Sequence, residues 1–226
     1  MKKTGKRATS PESGRLRFPE DELRYPWLPL LLEGLAVFDK GAAIAIQRAK
    51  RRHNRPVACR EGCGNCCATN TDIPVYPLEL AGIYWYAIEK MEGPLRQELE
   101  ARLAGHEGKP PCPFLIDHRC SIYPLRPGVC RLFIVLGRQC NPGEDAYYSR
   151  REDVLTPLEE FNNQAFYIML PFYGITGHED RIKAIQNRVI HTRVQNLQSC
   201  DWKNLARKME EYDQNNGGKG DLPAAP

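Results

Sequence analysis

The distribution of cysteine constrains this chain more than any other feature of its sequence. Eight of the nine cysteines fall between Cys59 and Cys140, in two sets. The first set has the spacing C-x3-C-x2-C-C, with glycines at positions 62 and 64 that allow tight turns. The second set is spaced more widely. The first set consists of Cys59, Cys63, Cys66 and Cys67, and the second of Cys112, Cys120, Cys130 and Cys140. Thiols clustered this densely are typical of a site for zinc or an iron–sulfur cluster.

The expected compartment keeps these thiols reduced. The start of the chain, MKKTGKRATSPESG, is basic but is followed by no apolar run, so we expect no secretory signal. The most apolar stretch, residues 27–46, is interrupted by Pro29, Glu33, Asp39 and Lys40, and we expect no membrane span. Position 2 is a lysine and not the glycine of a lipidation signal. We therefore expect a cytoplasmic protein in which clustered cysteines bind metal rather than form disulfides.

Apolar periodicity predicts a mainly α fold, in which a small helical domain has irregular cysteine-rich loops clamped by metal. The predicted helices cover residues 31–52, 77–92, 94–103, 182–197 and 202–212. One more helix is predicted to begin with Thr156 as its N-cap, Pro157 at its first position and Glu159 at its third. We expect a flexible basic lead-in over 1–25, a single metal-binding helical domain over 26–212 with its cysteine core at 59–140, and a disordered tail over 213–226.

The charge of the chain is unevenly distributed. Residues 1–60 contain 14 lysines and arginines against 6 acidic residues, whereas the remainder contains 18 against 22. Basic residues near position 52 are typical of a solvated helix end, with an electrostatic dock for an acidic partner as the alternative. No motif for reading nucleic acid accompanies them, which argues against a nucleic-acid partner. We expect a redox or protein partner instead.

The sequence around the two cysteine sets resembles a known family. The signatures are C-x3-C-x2-C-C, then C-P-F-L, then C-S-I-Y-x-x-R-P-x-x-C-R, with the helix start Pro77-Leu78-Glu79 between them. They are similar to the YkgJ-type cysteine-cluster family, described as a zinc- or iron-chelating domain. The resemblance covers Cys59 to about Cys140. It implies that the first seven of these cysteines are metal ligands, while Cys140 matches a less regular downstream cysteine.

Two patterns bear on the identity of the metal. Cys59, Cys63 and Cys66 have the spacing of the cluster motif of radical SAM enzymes, although the chain lacks the alternating strands and helices of that superfamily. The adjacent residues Cys66 and Cys67 are accommodated more easily by a multi-iron cluster, or by two nearby sites, than by one tetrahedral zinc. We therefore expect an iron–sulfur cluster, of the 4Fe–4S type, with zinc as the alternative.

Two arginines are predicted to assist cofactor binding. Arg126 and Arg131 flank Cys130, and cations near thiolate ligands lower the charge cost of a metal cluster. The alternative is that Arg126 only ties its loop to carbonyl groups.

No recognisable motif identifies a substrate site or a catalytic residue. The leading interpretation is a metal-binding protein in electron transfer, and hence a candidate oxidoreductase. One alternative is a cluster-dependent methyltransferase, since flagellin lysine methylases resemble this family in their cluster region. Another is a structural zinc-binding interaction module.

Overall fold

The computed structural model describes residues 14–216, apart from the side chain of His53. Residues 1–13 of the expected lead-in and 217–226 of the expected tail lie outside the described residues. The helices are α1 (Pro19–Arg24), α2 (Leu28–His53), α3 (Asn65–Thr69), α4 (Pro77–Trp85), α5 (Gly93–Ala104), α6 (Gly128–Leu132), α7 (Ala146–Ser149), α8 (Glu159–Met169), α9 (His178–Gln186) and α10 (Trp202–Asn216). The strands are β1 (Pro74–Val75), β2 (Leu115–Ile116), β3 (Arg119–Cys120) and β4 (Gln195–Asn196). The prediction of a mainly α fold is confirmed.

The longest helix, α2, forms one side of the first core. Its apolar positions recur at helical spacing and are buried from Leu28 to Phe38. The helix packs against α8, where Phe161 lies so close to Gly41 that an added Cβ would stand 2.6 Å from the phenylalanine Cβ. Helices α2 and α8 therefore approach one another closely, because α2 carries a glycine at the contact.

Helix α4 lies between two cores. Its Leu78 and Trp85 pack with α2 and α8, whereas Ile83 belongs to a second core formed with α5 and α10. A single turn of π-helix (Tyr86–Lys90) continues α4, and Trp202 at the start of α10 is buried in the second core. The cysteine-rich loops lie against this second core, so the fold positions the thiols beside a packed apolar surface.

Two predicted helix boundaries are wrong. Helix α8 begins at Glu159 and has Leu158 as its N-cap, because the chain stays extended through Leu158 and Thr156 makes no cap. The helix predicted over 182–197 ends at Gln186, since Arg188 adopts a left-handed conformation with φ 53°. The chain then forms β4, which pairs antiparallel with β1.

The described chain has a helix near each end, α1 and α10. Within the 1–25 segment, Arg15 pairs with Glu22 of α1 at 2.7 Å. At the other end α10 continues four residues past position 212, to Asn216.

None of the helices in the described ranges has both the length and the apolar run that a bilayer crossing requires.

Candidate metal centre

The first cysteine loop is shaped by two glycines. The N–H of Cys63 donates to the carbonyl of Arg60 at 3.0 Å, which closes a turn around Gly62 at φ 78°. Gly64 is the N-cap of α3, and a Cβ there would stand 2.7 Å from Leu115 Cδ1 and 3.1 Å from the carbonyl oxygen of His118. Only glycine lets this loop lie so close to the segment that carries the next cysteines.

That segment is a short hairpin made of β2 and β3. Asp117 and His118 form its turn, both with positive φ, as a tight two-residue connection requires. The register pairs Leu115 with Cys120. The hairpin therefore fixes the position of Cys120 through backbone pairing.

Main-chain hydrogen bonds join the cysteine segments. The N–H of Cys112 donates to the carbonyl of Cys67 at 2.7 Å, and the N–H of Ala58 donates to the carbonyl of Val135 at 2.8 Å. The buried carboxylate of Glu79 adds a third connection by accepting the N–H of Gly128 at 2.7 Å, two residues before Cys130. These bonds bring parts of the chain 45 to 77 residues apart into one region.

Five thiols form what we call the inner thiol group. Four of its members, Cys67, Cys112, Cys120 and Cys130, pack in the second core, and the fifth, Cys66, acts on the pKa values of the last three. Burial raises the pKa of Cys120 to about 11 and raises the pKa values of Cys112 and Cys130 further. Contact with the Cys67 thiol, together with burial, raises the pKa of Cys66 well above its ordinary value. The thiol of Cys66 also raises the pKa of the three later cysteines, so this sulfur lies near all of them.

The other three thiols form what we call the outer thiol group, which consists of Cys59, Cys63 and Cys140. Cys59 and Cys63 are exposed as whole residues and Cys140 is half-buried. The Sγ of Cys59 accepts the N–H of Val135 at 3.3 Å. Desolvation of this sulfur raises the pKa of Cys59, and the thiols of Cys63, Cys66 and Cys140 raise it further. Cys140 packs in a separate small apolar cluster with Ala58 and Val135, and not with the inner group.

The two predicted arginines have different surroundings. The guanidinium of Arg126 lies 4.3 Å from the centre of the Tyr123 ring, and its buried Nε has no hydrogen-bond partner among the described residues. Its charge lowers the pKa of Cys120 and Cys130, against the effect of burial. Arg131 instead donates to Asp39 at 2.5 Å, to the carbonyl of Arg126 at 2.9 Å and to the carbonyl of Pro124. Arg131 therefore ties the loop together, and Arg126 presents an unpaired donor at the inner thiol group.

Three residues that the sequence analysis missed support the outer group. Arg150, 5% exposed, donates to the Sγ of Cys140 at 3.4 Å and to Glu144 at 2.7 Å. Asn65 donates to the carbonyl of Glu144 at 2.7 Å and accepts the N–H of Gly143 at 3.2 Å. These contacts join residues up to 79 positions apart. No local pattern in the sequence marks them.

The donor chemistry fits a thiolate-binding metal, although the sulfurs are not in ligating positions. All nine cysteines are free thiols. Soft sulfur donors of this kind select zinc or iron–sulfur clusters. Among residues 14–216, no three Cys, His, Asp or Glu side chains stand close enough together to hold an ion as they are. Metal binding would therefore require the thiols of each group to rotate toward one another, within a frame that the main chain already fixes.

The comparisons with known proteins agree with this chemistry. Residues 58–164 match the family CxxCxxCC, described as a "putative zinc- or iron-chelating domain". No curated protein and no solved structure matches the chain. The match covers all eight clustered cysteines and Arg126, Arg131 and Arg150, and the family description supports metal binding. Residues 58–164 therefore match the model of the CxxCxxCC family, which confirms the resemblance drawn from the sequence.

Proposed function

We propose that this protein binds an iron–sulfur cluster through the inner thiol group and serves in electron transfer. The observation that carries the proposal is that Cys67, Cys112, Cys120 and Cys130 pack at one core, where the N–H of Cys112 donates to the carbonyl of Cys67 at 2.7 Å. Cys66 precedes Cys67 directly in the chain, and adjacent cysteines suit a cluster with several metal atoms, since each sulfur can bind a different iron. One tetrahedral zinc would leave at least one of the five thiols unused.

The surroundings of the inner group support a redox role. A bound iron–sulfur cluster would supply one-electron transfer, at a potential set by charge, hydrogen bonding and solvent exposure. Arg126 places a cation beside Cys120 and Cys130, which would offset the negative charge of the thiolates. The apolar side chains of the second core shield the same thiols from water. A protein partner would exchange the electron, and free thiols suit the reducing cytoplasm.

Two surface depressions bear on the alternative of methyl transfer. In the described part of the chain, one depression lies between α5 and α10 and another lies beside α1. Neither is lined by a cysteine. A methyltransferase needs a pocket for its methyl donor next to the cluster, so these depressions lend that function no support.

Metal analysis of protein purified without oxygen tests the proposal. We expect iron and acid-labile sulfide in the preparation, a brown colour and a visible absorption that bleaches on reduction. A Cys130→Ser variant should lose this absorption, whereas Cys200→Ser, outside both thiol groups, should keep it. A colourless protein with stoichiometric zinc and no sulfide would instead establish the zinc-binding alternative.

A further inference from the structure

The C-terminal end of α2 presents a cluster of cations to solvent. Lys50, Arg51 and Arg52 are exposed, and none of them forms an ion pair within residues 14–216. Arg48 lies one turn before Arg52, and like charges at this spacing repel each other. Cations near a helix C-terminus gain from the macrodipole, but that gain is confined to the last turn. Helix stability alone therefore does not account for so many unpaired cations.

The end of α2 is fixed to the segment that leads to the first cysteine. Near this end Ala45 is buried and packs with Leu136 in a small apolar cluster. After the helix, the N–H of Gly137 donates to the carbonyl of Pro56 at 2.8 Å. The chain from the last residue of α2 to Cys59 can span at most about 22 Å. The cations therefore have a defined position near the thiols.

Arg55 joins this end of α2 to the segment that follows α7. Its guanidinium donates to the carbonyl of Glu152 at 3.2 Å and pairs with the carboxylate of Asp153. Arg151, which precedes Glu152, has its guanidinium 5.0 Å from the centre of the Tyr147 ring. The end of α2 and the surface of α7 are therefore parts of one continuous surface.

Two tyrosines of α7 project from this surface. Tyr147 and Tyr148 are 48% and 77% exposed, and their rings meet edge to face with centroids 5.3 Å apart. The next residue but one, Arg150, is buried and donates to the Sγ of Cys140 at 3.4 Å. The tyrosines therefore lie beside the loop that carries Cys140.

We propose that this surface is the docking site for an acidic protein partner. We call it the cationic-aromatic face, and its members are Lys50, Arg51, Arg52, Tyr147, Tyr148 and Arg151. The proposal deepens the proposed function, on which it rests for the electron that the partner would exchange. Tyrosine and arginine are enriched at protein interfaces and at the positions that contribute most to binding. The unpaired cations would attract carboxylates of the partner and speed its association.

A protein suits this face better than a nucleic acid does. Glu152 is exposed directly after Arg151. Asp145 caps the start of α7 by accepting the N–H of Tyr147 at 2.9 Å. These carboxylates would repel a phosphate backbone, which carries negative charge along its whole length. An acidic protein surface can instead place a lysine or a neutral polar group opposite them.

Binding of a labelled acidic peptide to the full chain, purified without oxygen, tests the proposal. The probe is a fluorescein-labelled peptide of glutamate and leucine, and its control is the same peptide with glutamine in place of glutamate. We expect the acidic peptide alone to bind at low salt, and to bind more weakly as added salt screens the charges. A single-stranded RNA of the same net charge should bind less tightly than the acidic peptide.

Substitutions locate the binding on the surface. Arg51→Gln/Arg52→Gln should weaken binding of the acidic peptide about tenfold at low salt, because two exposed ion pairs are lost. Tyr148→Ala should weaken it at least about fivefold, because a large contact surface is lost. The matched control is Lys203→Gln/Lys208→Gln, which removes the same charge from exposed positions of α10. This control should bind the peptide as the parent does.

Cross-linking gives the same answer without a substitution. A carbodiimide joins carboxylates of the bound peptide to nearby lysines, so Lys50 should be cross-linked in preference to Lys203 and Lys208. Absence of peptide binding, equal weakening by the two double variants, equal cross-linking of the three lysines or tighter binding of the RNA would each overturn the acidic docking site.

Metal analysis of the same preparations keeps the two proposals apart. Zinc without sulfide would overturn electron transfer, while peptide binding confined to the cationic-aromatic face would still support the docking site. Iron and sulfide in a chain that does not bind the peptide would leave electron transfer standing and overturn the docking site.

Discussion

The carboxylate of Glu79 on α4 accepts the backbone N–H of Gly128 at 2.7 Å. The same side chain accepts the N–H of Tyr76 at 3.0 Å, which caps the start of α4. Glu79 is buried, so its two oxygens satisfy main-chain donors that water does not reach. One side chain therefore joins a helix of the core to the short helix α6, which contains Cys130.

Removing this carboxylate should destabilise the fold. Glu79→Ala leaves the N–H groups of Gly128 and Tyr76 without acceptors, and we expect a loss of about 2–4 kcal/mol in the free energy of unfolding. Glu79→Gln retains an acceptor oxygen and should lose less. Urea unfolding followed by circular dichroism measures both variants. An alanine variant as stable as the parent would show that other groups satisfy these donors.

The stability that Glu79 provides should depend on pH. Burial raises the pKa of Glu79 in the folded chain above its ordinary value, in spite of the two N–H donors. The folded protein therefore retains a proton that the unfolded chain has already lost, and stability falls as the pH rises through the folded pKa. As the pH rises above the ordinary glutamate pKa of about 4.5, the parent should therefore lose stability relative to Glu79→Gln.

Urea midpoints of the two proteins at several pH values give this difference directly. A difference that stays constant, or that shifts in favour of the parent as the pH rises, would contradict the prediction.

Replacing Arg126 should affect metal affinity, whereas replacing Arg131 should affect the stability of the metal-free chain. Arg126→Gln removes the unpaired cation at the inner thiol group, and we expect metal affinity to fall by about 10- to 100-fold with little change in the stability of the metal-free chain. Arg126→Lys should retain part of the affinity. Arg131→Gln breaks the pairing with Asp39 and two carbonyl contacts, so it should lower the stability of the metal-free chain instead.

Competition with a chelator of known affinity measures the first effect, and urea unfolding measures the second. Equal metal affinity in Arg126→Gln and the parent would mean that Arg126 has no electrostatic role at the site.

Gly64 offers a steric test of how the cysteine loops fit together. In Gly64→Ala the new methyl group would press on Leu115 and on the carbonyl of His118, and we expect a loss of about 1–3 kcal/mol. The metal affinity of this variant should also fall, because the first cysteine loop would move away from the hairpin that carries Cys120. The control is Gly105→Ala, where the carbonyl oxygen of Ala101 lies 3.7 Å from the added Cβ, an ordinary contact. In thermal unfolding, Gly64→Ala should have a lower melting temperature than Gly105→Ala. Similar melting temperatures would contradict the close approach of the first cysteine loop to Leu115 and His118.

The sequence predicts the helices best where apolar periodicity is long and uninterrupted. The helix expected over 31–52 is α2 (Leu28–His53), and the one expected over 94–103 is α5 (Gly93–Ala104). Prediction from the sequence fails at helix boundaries that depend on backbone conformation or on tertiary contact. The left-handed residue Arg188 ends α9 early, and Leu155, bonded to the carbonyl of Ile134 at 2.8 Å, keeps the chain extended before α8. Neither feature leaves a local signal in the sequence.

The candidate ligands could be predicted from the sequence, but their grouping could not. Spacing along the chain identifies eight cysteines as candidate ligands. It assigns Cys66 to the first set and Cys140 to the second. In the fold Cys66 lies near both Cys59 and Cys112, and Cys140 also lies near Cys59, because pairing between distant segments decides which sulfurs meet. Arg150 and Asn65 support the outer group through contacts of the same long-range kind.

The hydrogen bond from the Cys112 N–H to the Cys67 carbonyl involves no side chain. The junction between the two cysteine segments therefore does not depend on the thiols that it brings together. Mutation can exchange a sulfur for an imidazole or a hydroxyl without dissolving the junction, so the ligand set is free to diverge while the scaffold persists. Metal preference and fold can accordingly evolve as separate traits in a chain built this way.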